Sequence, residues 1–335
     1  MNLTPKVSII IPVYNGSNFL DESIDSALSQ TYKKTEVIVV NDGSNDNGMT
    51  EKVAKSYRNQ IRYFRKNNGG VASALNYGIK KMKGLFFSWL SHDDIYYPHK
   101  IQKQIEYLNK INKFSIILYS DFEIINEKSQ YVRIEKVPPL GMNSIRYHLT
   151  RYSAINGCTL LIPRLGLLKS GGFNTKLRAT QDYDMWYRLS KYYNFIHHPE
   201  VLVKTRIHAS QVGVRDKHDA LIEGNKLKIK FLQNLSSSDY YGFDITNGSS
   251  TYLECAKGFH RGGLYDARDY AIQLCKTNSK ALSLFQKLKL RKNELFLKLE
   301  IANIFPYYIV LLFKNSIKFF SRKKIFNTKI KTFNI

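Results

Sequence analysis

The 335-residue sequence predicts an α/β fold: a mostly parallel sheet with helices on both faces, followed by a helical C-terminal extension. Three observations lead there. Over the first two hundred residues, uncharged β-branched runs such as VSIIIPV alternate with amphipathic stretches, and continuous apolar strands belong to sheets buried on both faces. Several of these runs end in a polar cluster, and in such sheets ligands bind beyond the carboxyl ends of the strands. Past Asp216, helical periodicity dominates, which divides the chain into 1–215 and 216–335.

The elements follow in order. Residues 7–13 form the first buried strand, and Asn18 caps a helix carrying Asp21 and Glu22 in its first turn and Leu20, Ile24, Ala27 and Leu28 on one face. EVIVVN (36–41) is the second strand, closed by DGSND, and IRYF (61–64) a shorter third. Spacing predicts a helix over 71–82 and a strand at 85–90. Pro98 then opens a helix to 111, and SIILYS (115–120) is another strand. A polar break at 236–250 interrupts the helical C-terminal region. Residues 301–313 carry no charge but are too few for a bilayer span of about twenty residues, and Pro306 interrupts them. That segment reads as buried or interfacial.

Composition narrows the class. Hydrophobic content of 43% excludes global disorder. Three dispersed cysteines without CxxC spacing point to reduced thiols, and the N-terminal apolar stretch is too short for a signal peptide, so a cytoplasmic protein is expected. Net charge is +24, and residues 287–335 hold twelve Lys+Arg against two Asp+Glu. That balance suits nucleic acid, anionic lipid and phosphate-bearing substrates alike.

Three acidic motifs oppose this basic background. In VVNDGSND, Asp42 is either a turn residue or a carboxylate accepting from a base N–H, with Tyr14 placed to stack on the same base. In SWLSHDD, two adjacent carboxylates follow an apolar strand. They either start the next helix or bind a hard divalent cation, which needs few protein ligands when phosphates supply the rest. In RATQDYDMWYRL, Asp182 precedes a helix with Met185, Trp186 and Leu189 on its apolar face, and is either an N-cap or a general base.

Taken in order, VSIIIPVYNG, SALSQTY, VIVVNDGSND, NNGGVASALNYGI, SWLSHDD, GGFNTKLRATQDYDMWYRL and RIHASQ resemble glycosyltransferase family 2 over about residues 5–215. The resemblance implies a GT-A fold with a Rossmann-like sheet, and an inverting enzyme that uses a nucleotide-diphosphate sugar with Mn²⁺ or Mg²⁺. Carried onto this chain, it makes Pro12, Tyr14 and Asp42 the nucleoside site, with Asp42 reading uracil N3–H. Ser91-His92-Asp93 occupies the family's DxD position. A serine replaces the first Asp there, leaving Asp93 as the metal ligand and His92 towards ribose or phosphate. Asp182 falls on the catalytic base, beside Gln181 where glutamate is common. Asn76 and Gly78 match the helix that approaches the nucleotide, with Leu75 where arginine is usual, and Arg206 and His208 match a loop closing over the diphosphate.

The implied partners are a UDP-sugar and a saccharide acceptor. Relatives often extend a polyprenol-linked saccharide for bacterial surface polysaccharides at the inner face of the membrane. The apolar residues of 301–313 and the basic residues after them fit a peripheral contact with an anionic membrane surface; the other reading packs that helix on the catalytic domain. Two rival classes fare worse. A nucleic-acid or lipid-surface binder, or a non-catalytic family member acting as one, leaves the acidic motifs unexplained, and no nucleic acid is expected as a partner. A dinucleotide-dependent oxidoreductase would need GxGxxG where the chain reads PVYNGSN.

Overall fold

The computed structural model describes residues 3–139, 145–152, 155–209, 211, 217–240, 248–279 and 282–301. They form two compact units, 1–243 and 244–335. No helix among the described residues is long and apolar enough to cross a membrane. The segment 302–313 and the basic tail after it lie outside the described residues.

In the first unit, strands β1 (Val7–Val13), β2 (Thr35–Asn41), β3 (Arg62–Arg65) and β4 (Phe86–Trp89) pair in parallel in the order β3-β2-β1-β4. Every residue of β1 and β4 is buried, as their uncharged sequences require. Helices α1 (Leu20–Leu28), α2 (Met49–Ser56) and α3 (Val71–Lys81) connect them. Register sets Val13 opposite Asn41 and Ile10 opposite Trp89, so the loops after β1, β2 and β4 leave along one edge. Two backbone bonds extend that edge, Asp42 N to Val13 O at 2.8 Å and Leu90 N to Ile10 O at 3.0 Å.

A second sheet, less visible in the sequence, holds β5 (Ile95–Tyr96), β6 (Ile116–Ile125), β7 (Tyr131–Glu135) and β9 (Asn194–Arg206) in the order β5-β9-β6-β7. The short strand β8 (Ile162–Pro163) closes the first sheet antiparallel to β4, and a bridge between Leu118 and Leu161 joins the two sheets. β6 runs five residues beyond the expected end at 120. β9 escapes periodicity because the register jumps: Ser120 faces His198, but Asp121 faces Val201, leaving Pro199 and Glu200 in a bulge.

Three local expectations change. Asn18 does not cap α1; Phe19 is the N-cap, and no side-chain hydrogen bond is made there. The helix after Pro98, α4 (Lys100–Ile111), begins two residues later, where fully buried Lys100 donates to Ser88 Oγ at 2.9 Å and to Gln104 Oε1 at 3.0 Å, tying α4 to β4. The remaining helices of this unit are α5 (Ile145–Arg151), α6 (Arg164–Lys169), α7 (Gln181–Leu189) and α8 (Lys217–Gln233). Helix α8, which the sequence division places in the C-terminal region, lies within the first unit and bonds to the segment leading into α7.

The second unit contains α9 (Gly248–Arg261), α10 (Tyr265–Asn278) and α11 (Leu284–Ile301). Leu253, Phe259, Ala267, Ala271, Leu290 and Leu297 are buried in it, and Arg261 meets Glu300 at 2.9 Å. All three cysteines are buried thiols outside any disulfide.

Candidate active site

Asp93 stands at the carboxyl end of β4, in the turn where Asp94 N bonds Ser91 O at 3.2 Å. Its Oδ2 lies 2.9 Å from His208 Nε2 and 3.4 Å from Gln211 Nε2. Burial pushes the carboxyl up, but the His208 hydrogen bond and the nearby His92 outweigh it, and Asp93 stays below the ordinary carboxylate range. Asp94 turns inward. Its Oδ1 accepts Arg206 N at 3.0 Å, Cys158 hydrogen-bonds the same carboxyl, and burial followed by the charge of Asp93 pushes it up to about 8. The two adjacent carboxyls therefore differ in kind, one an anion facing the site edge and the other held inside.

His92 packs on Gly16: a Cβ there would lie 2.2 Å from His92 Cδ2, so only glycine leaves the ring room. Burial lowers the His92 pKa against the pull of Asp93.

Arg206 is placed differently from a residue closing over a diphosphate. It has no exposed surface. Its Nε donates to Asp93 O at 2.9 Å, Nη1 to Asn126 O, Glu127 O and Ser129 Oγ, and Nη2 to Glu22 Oε2 at 3.1 Å. The guanidinium also lies 4.3 Å from the centre of the Phe19 ring. These bonds hold the main chain beneath Asp93 and engage the guanidinium wholly within the protein. His208, two residues on, does reach the site edge.

Asp42 is similarly engaged. Lys66 Nζ meets its Oδ1 at 2.6 Å, and the N–H groups of Gly69 and Gly70 meet Oδ2 at 3.1 and 2.7 Å. The carboxylate thus fixes the NNGG loop ahead of α3. Beside it, Gly43, Arg65, Lys66, Asn67 and Asn68 line a cavity of about 450 Å³ beyond the ends of β2 and β3. Tyr14 remains 42% exposed with its hydroxyl on Asn45, free to offer a ring face, whereas Pro12 is buried within β1.

Asn76 faces the protein interior. Its amide donates to Phe173 O and accepts from Phe173 N, both at 2.8 Å, and Gly172 has φ +75° and no room for a Cβ against it. Phe173 is thereby held among Phe87, Trp89 and Trp186, at centroid distances of 6.3, 6.1 and 5.9 Å. This cluster joins β4, which delivers Asp93, to α7, which delivers Asp182. Asp182 Oδ1 accepts Tyr183 N at 2.8 Å, and burial pushes the carboxyl up to about 6.

The residues present fit a divalent cation. Asp93 and His208 offer one oxygen and one nitrogen at a single point, and such ions take the rest of their shell from phosphates and water. Among the described residues, no cluster of three or more His, Cys, Asp or Glu forms a closed protein cage. Sequence reasoning assigns no site role to Lys66 and Cys158, which no motif marks, or to Gln211, which closes RIHASQ.

Comparison with known proteins agrees with this architecture. The S. aureus TarS fragment 1–349 in complex with UDP-GlcNAc superposes with a TM-score of 0.57 at 15% identity, over 86% of this chain and 79% of that one. The fold is GT-A. The family model described as glycosyl transferase family 2 matches residues 8–160. An uncharacterized glycosyltransferase of Rickettsia typhi is 41% identical over 84% of this chain and 88% of its own length. One of Rickettsia felis is 48% identical over 70% of this chain, a match spanning only 39% of that longer relative. The chain belongs to glycosyltransferase family 2.

Arg206→Lys tests the clamp. A single ammonium cannot replace five donors spread over three segments, so buried carbonyls lose partners at about 1–3 kcal/mol each. A loss of about 3 kcal/mol in urea unfolding is expected, and unchanged stability would refute the clamp.

Proposed function

We propose that this protein transfers a sugar from a nucleotide-diphosphate donor, a UDP-sugar, to a hydroxyl of a saccharide acceptor, with inversion at the anomeric carbon. The observation that carries the reading is the divergence of two carboxylates: Asp93 is held low and Asp182 is raised to about 6. Groups whose environments push their pKa values apart divide the work of a site. An anion suits cation binding, and a carboxyl near 6 suits proton abstraction close to neutral pH.

Asp182 takes the proton of the acceptor hydroxyl as that oxygen attacks the anomeric carbon from the side opposite the diphosphate. The new glycosidic bond forms while the bond to phosphate breaks, and UDP departs with the electron pair. Asp93 and His208 would hold Mn²⁺ or Mg²⁺, which when bound supplies positive charge to the departing diphosphate. Tyr14 and the cavity beside Lys66 receive the nucleoside, with Asp42 acting through the loop it holds and His92 next to the ribose or phosphate. One side-chain base suffices, unlike the paired carboxylates of glycoside hydrolysis.

For the acceptor we infer a lipid-linked saccharide of a bacterial surface polysaccharide, reached from the cytoplasmic side by a peripheral contact. The concentration of twelve Lys+Arg in residues 287–335 supports this, at about 1 kcal/mol for each basic residue near an anionic leaflet. The full chain should co-sediment with anionic liposomes at low salt and not with neutral ones. Equal behaviour on both would remove the membrane from the reading.

Two substitutions test the chemistry. Asp93→Asn should abolish metal-dependent release of UDP, whereas Asp94→Asn, whose side chain faces Arg206 and Cys158, should keep substantial turnover. Equal losses in two folded variants would show the assignment to be wrong. Asp182→Asn should lower kcat by about 10²–10⁴-fold with UDP affinity retained. Because the base works deprotonated, wild-type kcat/KM should fall about tenfold per pH unit below about 6, and this acid limb should vanish in Asp182→Asn. A limb that persists in that variant assigns the titration elsewhere.

A further inference from the structure

The start of α7 is organised by a residue from another helix. Thr180 is the N-cap, with φ −123° and ψ 15°, yet its side chain caps nothing in its own helix. Its hydroxyl donates instead to Glu223 Oε1 at 2.8 Å. Three consecutive backbone N–H groups converge on that same carboxylate, Arg178 N on Oε2 at 2.8 Å, and Ala179 N and Thr180 N on Oε1 at 2.9 and 2.6 Å. Burial pushes Glu223 up, but these four donors outweigh it and hold the carboxyl below its ordinary range, so it stays ionised.

Glu223 sits on α8, itself fixed in place. Lys228 Nζ donates to Leu149 O and Tyr152 O at 2.6 and 3.1 Å, and Phe231 stacks on Tyr187 of α7 with centroids 3.9 Å apart. The connection between Phe173 and α7 is thus anchored twice, by Asn76 at one end and Glu223 at the other. Asp182 follows the second anchor by two residues. At that position the direction of its carboxylate is set by how the chain enters the helix.

We propose that Glu223 is a positioning residue for the catalytic base: by bridging α8 to the N–H groups of residues 178–180, it sets where Asp182 points. This rests on the reading of Asp182 as the base. The body of α7 does not depend on Glu223, because Met185, Trp186 and Leu189 are wholly buried on their own account. Losing the carboxylate therefore loosens the first turn and leaves the helix docked. The consequence falls on turnover, since a displacement of about 1 Å in a reacting group costs up to about 10²-fold.

The test is a double-mutant cycle on the full chain, read as UDP released from a UDP-sugar, with UDP binding measured in parallel. Glu223→Ala should lower kcat about 30- to 100-fold while the Kd for UDP stays within about twofold. Glu223→Gln, which keeps an acceptor oxygen in place, should recover part of that loss; it carries the test alone if the alanine variant does not fold. Where two residues act as a unit their effects do not add, so in an Asp182→Asn background Glu223→Ala should cost less than about threefold. An undiminished loss in that background overturns the proposal, as does a parallel fall in UDP affinity or wild-type kcat in Glu223→Ala. Wild-type kcat in Asp182→Asn alone instead overturns the base assignment and the positioning claim with it.

Discussion

One guanidinium holds the Asp93 edge of the sheet together. Arg206, without any exposed surface, reaches α1 through Glu22 and Phe19, the β4–β5 turn through Asp93 O, and the β6–β7 turn through Asn126, Glu127 and Ser129. Taking such a charge out of water costs several kcal/mol unless its donors are met. Here they are met mainly by main-chain carbonyls, which cannot be supplied unless all three segments are in place. The burial that makes the residue costly is what makes the arrangement unique. A wet arginine would tolerate a turn that drifts; this one does not. Asp93 inherits that rigidity through its own peptide group, and Asp94 through the Arg206 N–H.

The adjacent aspartates follow from the same constraint. An uncharged strand ending in two carboxylates cannot hold both as anions in a buried turn, because desolvation and mutual repulsion both favour protonation of one. The fold decides which. Asp93 faces His208 and Gln211 at the site edge, while Asp94 faces Cys158 and the Arg206 backbone. The pair is thus one anion at the site edge and one internal tie; the motif position singles out Asp93, and the contacts give the physical reason the two differ.

Much of the first sheet was legible because it is local. Strands β1, β2 and β4 are apolar runs, and the polar clusters after them reach one edge by the logic of a parallel sheet. Side-chain direction was not legible. Asp42, Asn76 and Arg206 stand at the positions the motifs mark, yet each bonds mainly to protein: Asp42 to Lys66 and Gly70, Asn76 to Phe173, Arg206 to three turns. A motif records which residue a family keeps at a position, and holding a loop keeps it as firmly as touching a ligand. β9 was hidden by its bulge at Pro199 and Glu200, and Glu223 by a separation of more than forty residues from the N–H groups it binds.

That contrast separates the two halves of the site. The cavity beside Lys66 is built within residues 43–68, by contacts a short stretch of chain can make. The placement of Asp182 on α7 depends on distant ones: Asn76 to Phe173, Phe173 to Trp89 and Trp186, and α8 to the segment leading into the helix. Contacts between distant segments must repay more loop-closure entropy before they stabilise anything, so they report on completion of the whole unit. The cavity beside Lys66 therefore needs only a short stretch of chain, while placement of Asp182 requires the chain through α8.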